Sequence, residues 1–228
     1  MKLPEPTADF EIAPAGNHRA VCYSVIDLGT QEKVYEGETS FKREIEIGFE
    51  LCDEKMNDGR PFVISKRFTF SSSKKSNLIK MLESWRGQPF KPEDLGINGF
   101  DIQRLIGVPC LLACVHVETN AGKNYCVINA ATPLPKGMEK PTLQNQAIYY
   151  TIAAHPALWD SLPEYKQNVI MKSPEWQAKT GNVAAMNSNH MNPETKEAHW
   201  STTDGLAPTN LVAKSPESLP VVEDEVPF

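Results

Sequence analysis

At 228 residues, 40% of them apolar and with a net charge of −6, the chain has room for one medium domain plus extensions, or for two small domains. Met1-Lys2-Leu3-Pro4 leads into proline and acids where a secretion signal needs an apolar segment, and no apolar run approaches bilayer length, so the expectation is a cytoplasmic protein. The five scattered cysteines (Cys22, Cys52, Cys110, Cys114, Cys126) suit reduced thiols and exclude a disulfide framework.

The charge is unevenly placed. From Gly181 onward two basic residues stand against seven acidic ones, so that stretch carries −5 and residues 1–180 carry only −1. A nearly neutral body is compatible with a basic groove on one face, so the global charge does not exclude nucleic acid.

Residues 1–16, rich in proline, alanine and acids, read as an extended arm. A strand follows over His18–Leu28, ending at Gly29. Lys42–Leu51 alternates cleanly, with Ile45, Ile47, Phe49 and Leu51 on one face and Glu44, Glu46 and Glu50 on the other. That is the period of a strand buried on one side, and it predicts a solvated polar face for the glutamates. Asn57-Asp58-Gly59 marks a turn, and Arg60–Phe70 is a third strand. Leu78, Met81, Leu82 and Trp85 recur at helical spacing within Ser73–Arg86, after a serine cluster and before Gly87. Asp101–Ile106 reads as a second short helix, and strands over Val108–Val117 and Asn124–Ala130 complete the series.

Three strands, helical material and two more strands is the order of an OB-fold, a five-stranded barrel widely used for single-stranded nucleic acid. The expected organisation is therefore an N-terminal arm (1–16), an OB-fold domain (17–135), a helical extension (136–180) and a disordered tail (181–228). The tail's polar, acidic composition cannot repay its ordering entropy.

Binding single strands without sequence preference needs cations to follow phosphates and flat rings for the bases. The candidates are Arg19 and Tyr23 on strand one, Lys42 and Arg43 entering strand two, and Phe62, Lys66, Arg67 and Phe68 on strand three. Lys74 and Lys75 follow that strand, and Lys123 and Tyr125 enter strand five. Phe62 and Phe70 also suit the core, and Trp85 is assigned to it. Lys66 interrupts an apolar face, which is why it stands out. No phosphate loop, zinc-protease helix or nucleophile elbow is present, and the five histidines are dispersed. No enzyme activity, cofactor or metal is expected: Cys110 and Cys114 have no second pair or histidine nearby to complete a metal site.

The sequence closes on Glu223-Asp224-Glu225-Val226-Pro227-Phe228, joining three carboxylates, a stiff proline and a terminal aromatic carboxylate. This string resembles the acidic tip of bacterial and phage single-stranded DNA-binding (SSB) proteins. The segments VIDLGTQ (25–31), DGRPFVISKRF (58–68), LESWRG (82–87) and PLPKGM (133–138) are similar to a phage and prophage family of replication-linked proteins taken to be SSB-like. The resemblance implies single-stranded DNA binding in phage replication, recombination or repair inside a bacterial host. It also implies a tip that recruits partner proteins, with a homo-oligomer as one arrangement. The rival expectation is an adaptor that presents an SSB-like tip without binding DNA.

Overall fold

A computed structural model describes residues 11–95, 99–118, 122 and 124–188. The fold is mainly β. Strands β1 (Gly16–Tyr35), β2 (Glu38–Lys55) and β3 (Pro61–Thr69) precede helix α1 (Asn77–Arg86), and β4 (Pro109–Glu118) and β5 (Asn124–Thr132) follow it. A short β6 (Ile148–Tyr150) and helices α2 (Glu164–Ile170) and α3 (Pro174–Ser188) complete the order. The sheet runs β3-β2-β1-β4-β5 with antiparallel neighbours, and β6 adds a parallel pairing to β1 at Ser24–Ile26.

The expected strands and intervening helix occur in the expected order, but the sheet is open. Among the described residues no ladder joins β3 to β5. Side chains span that gap instead. Lys66 Nζ on β3 donates to Ile128 O on β5 at 2.8 Å. Helix α1 lies against both strands, with Ser84 Oγ donating to Ala131 O on β5 at 2.8 Å, and its Trp85 Nε1 donates to Pro109 O at the start of β4 at 3.0 Å.

Helix α1 forms where the apolar period predicts. Ser76 Oγ accepts from Ile79 N, Gly87 closes the helix in the left-handed region, and Leu78, Ile79, Met81, Leu82 and Trp85 are buried. The Trp85 ring packs 5.1 Å from that of Phe49 on β2, in a core that also takes in Ile45, Ile47, Leu51, Phe62, Ile64 and Phe68. The second expected helix is a single 3-10 turn, Ile102–Leu105, started by Asp101 and anchored by buried Leu105.

Two expectations fail for one reason. Strand one does not end at Gly29, and the glutamates of β2 do not face water. Gly29 takes φ +71° at a register shift within β1, and a Cβ there would collide with Ser173 and Ile152 of the C-terminal extension. The extension lies on the outer face of β1 and β2. Ile26 and Leu28 meet Tyr150, Ile152, Leu162 and Ile170 there, forming a second core. Glu44, Glu46 and Glu50 are consequently buried. Glu50 accepts from the backbone amides of Gln144 (2.9 Å) and Asn145 (2.7 Å), and Glu46 pairs with Lys166 at 2.7 Å and Arg67 at 3.1 Å. Nor is residues 136–180 purely helical, since it contains β6, and α3 runs through the expected boundary at Gly181.

Burial alone would raise the Glu46 carboxyl, but the Lys166 and Arg67 charges outweigh it and hold it below its ordinary value. Burial would lower Lys166, and Glu46 reverses this and raises it. Stability from Glu46 is thus present above the ordinary carboxyl value of 4.5 and lost as pH falls through the lowered one. Stability from Lys166 is present below 10.5 and lost as pH rises through the raised one. Replacing Lys166→Ala leaves the buried Glu46 carboxylate with Arg67 alone and should cost up to about 3–5 kcal/mol in urea unfolding, the upper end applying where Arg67 does not compensate. The deficit should stay flat between those two values and shrink once acid protonates Glu46.

Candidate nucleic-acid interface

The β1–β2 hairpin is longer than the sheet that supports it. Strand β3 pairs with β2 only as far as Glu44↔Thr69, whereas β1 and β2 continue together from Thr30↔Arg43 to Tyr35↔Glu38. The turn is Glu36-Gly37, both at positive φ, the geometry that matches strand twist in a two-residue hairpin. Thr30 and Gln31 are still bonded to Glu175 and Val169 of the extension, and the rungs beyond them stand as a free arm. Val34 and Phe41 on this arm are 68% and 66% exposed.

At the foot of the arm is a groove of about 520 Å³, bounded by the arm, the end of β3 and the segment leading into α1. Lys33, Lys42, Arg67 and Lys75 line it, with the hydroxyls of Ser73 and Ser76 between them. Lys33 is held 2.7 Å from Glu44, and Arg67 3.1 Å from Glu46. Among the described residues Lys42, Lys74 and Lys75 form no ion pair, and all three are exposed. The one acid of the groove lining, Glu44, is already matched by Lys33, so the free lysines leave it net positive.

The remaining candidates lie in other settings. Arg19 grips Asp53 across β1 and β2 and donates to Glu139 O at 3.3 Å. Tyr23 is half-buried at a β1 bulge, against Gly48. Arg43 pairs with buried Asp27 at 2.7 Å, its guanidinium carbon 5.9 Å from the centre of the Phe70 ring. Phe62 and Phe68 pack in the core and offer no stacking face, and Lys66 turns inward to β5 instead of joining Arg67 in the groove. Tyr125 is 43% exposed beside Val117 on the β4–β5 hairpin. Ladder directions make β3 and β5 parallel, with Lys66 level with Ile128. Tyr125 thus lies about 20 Å along the strands from the groove end of β3, at roughly 3.3 Å per residue. Lys123 and the tip, Glu223, Asp224, Glu225, Val226, Pro227 and Phe228, fall outside the described residues.

Sequence reasoning missed Lys33, Phe41 and the exposure of Phe70 (47%). Phe41 and Arg43 share parity with Ile45 and Ile47, so alternation alone marks Phe41 as core; only the shortness of β3 leaves it bare. A signal was available in part. The turn residues Glu36-Gly37 lie well beyond the expected end of strand one, which implies a hairpin that outruns its neighbours.

Among the described residues no helix is long and apolar enough to cross a membrane. Comparison of the sequence with protein-family models and with curated proteins finds no match, so the reading of the groove rests on its own chemistry.

Proposed function

We propose that this chain binds single-stranded DNA without sequence preference, on an OB-type scaffold. The observation that carries the reading is the groove at the foot of the β1–β2 arm, where four cations and a row of serines line one channel. Cations spaced along a groove suit a phosphate backbone, and the exposed Phe70 ring sits between Thr69 and Ser71 of the lining, where a base can reach it. The scaffold supports the same view. An OB-fold is a partly open barrel whose ligands lie on strands two and three and the adjoining loops. Here edge strands β3 and β5 run parallel and are bridged by Lys66 and α1, as a barrel short of closure would be.

The partner-recruiting role belongs to residues 223–228 and rests on their resemblance to SSB tips. A phenylalanine ring behind a run of acids suits a basic-rimmed apolar pocket on another protein, and the acids steer the encounter. Replication, recombination and repair proteins are the class of partner that this resemblance implies.

Fluorescence anisotropy with labelled oligo-dT, compared with duplex at two salt concentrations, tests the first role. Affinity for the single strand should fall with salt at a slope of about −0.7 per phosphate neutralised. The double variant Lys42→Ala/Lys75→Ala should make that slope shallower by about 1.4. No binding even in dilute buffer would leave the adaptor reading in possession. Deleting residues 220–228 should leave the affinity for oligo-dT unchanged or slightly raised while abolishing partner recruitment; a large loss of affinity counts against the division of roles.

A further inference from the structure

A smaller slot opens around the corner from the groove, and its chemistry is different. Val25, Asp27, Arg43, Ile45, Phe70 and Tyr149 line about 180 Å³ there. That equals about six waters at roughly 30 Å³ each, and it is below the ~300 Å³ at which pockets for drug-sized ligands begin. The slot is connected to the groove through shared walls. Ser71 borders both the groove and an apolar hollow under Leu78 and Phe90, and Phe70 borders both that hollow and the slot. A chain following the groove therefore passes within reach of Phe70.

The charge inside the slot selects what enters. Arg43 Nη2 donates to Asp27 Oδ2 at 2.7 Å and Nε to Oδ1 at 3.3 Å, and Asp27 also accepts from Gly29 N at 3.1 Å. The Asp27 oxygens are largely engaged, whereas Nη1 of Arg43 is not used by Asp27. Glu175 also acts on Arg43, and Asp101 as well as Asp27 acts on the Tyr149 hydroxyl. Asp27 and Glu175 thus act on the guanidinium and Asp101 on the Tyr149 hydroxyl, so acids outnumber the one cation around the slot, which disfavours a phosphate or any other anion. The fitting occupant is uncharged and flat, with a π-face for Phe70 and an acceptor edge for Arg43.

We infer that this slot takes one unstacked nucleobase from a strand whose phosphates run in the groove, its ring against Phe70 and its edge accepting from Arg43. The inference rests on the proposed single-strand binding and adds to it a division of the path. Phosphates follow the lysines of the groove, and a base is turned into an acidic, ring-lined recess.

The test uses the full chain with an oligo-dT of about 20 nucleotides, in affinity titrations at two salt concentrations and in ultraviolet crosslinking of the same oligonucleotide carrying 5-iodouracil. Phe70→Ala should weaken binding by about 5- to 150-fold, the range that loss of one stacked base produces. Its salt slope should stay unchanged, because no phosphate contact is lost. Phe70→Trp should retain affinity, Tyr149→Leu should show a loss of the same kind, and crosslinks should map to Phe70 or Tyr149. Wild-type affinity in Phe70→Ala, or crosslinks confined to other residues, overturns the slot and leaves the groove standing. A shallower slope in Phe70→Ala places the residue on the phosphate path and overturns it too. Failure of the unaltered protein to bind oligo-dT removes both readings together.

Discussion

The acidic outer face of β2 is the constraint on which the rest of this structure depends. Glu44, Glu46 and Glu50 sit on the reverse of a strand whose other face is the core, and burying unpaired carboxylates there would cost several kcal/mol each. Every one has a partner of specific geometry. Lys33 meets Glu44, Lys166 and Arg67 meet Glu46, and two backbone amides with the Asn145 side chain meet Glu50. These requirements place the C-terminal extension on β1 and β2, because only this position brings Lys166 and residues 144–145 to the row. The second apolar core then follows around Ile26 and Leu28. With that face occupied, the outer side of β3, the approach to α1 and the hairpin arm remain open, as does the β4–β5 hairpin with Val115, Val117 and Tyr125.

Some of this is written locally in the sequence and some is not. The alternation of residues 45–51, the turn at Asn57-Asp58-Gly59 and the capped apolar period of α1 depend on neighbours a few residues away, and they were legible. The burial of the β2 glutamates was not, since their partners lie far along the chain and a row of alternating acids looks the same whether water or Lys166 faces it. Lys66 shows the same limit from the other side. Its position on an apolar face marked it as unusual, but its use as a strut to Ile128 depends on where β5 passes. Of the candidate contacts, those chosen for charge alone divided into cations held by acids, such as Arg19 and Arg43, and cations left free, such as Lys42 and Lys75. Composition cannot make that division, because it is decided by which carboxylate the fold brings within 4 Å.

The free arm carries its own argument. A two-stranded ribbon is at best marginally stable alone and presents unpaired edges that invite association. Here Glu32, Lys33, Glu36, Glu38 and Lys42 crowd the arm with charge, which guards those edges, yet Val34 and Phe41 stay bare among them. Apolar side chains placed on a charged, unsupported hairpin do nothing for the stability of the sheet below. Their exposure makes sense where something flat and intermittently apolar comes to lie against the arm. The register sets Lys33 and Lys42 on the groove side of the ribbon and Val34 and Phe41 on its reverse, so under the proposed single-strand binding the phosphates keep to one side and the bare apolar pair offers a second, separate contact surface.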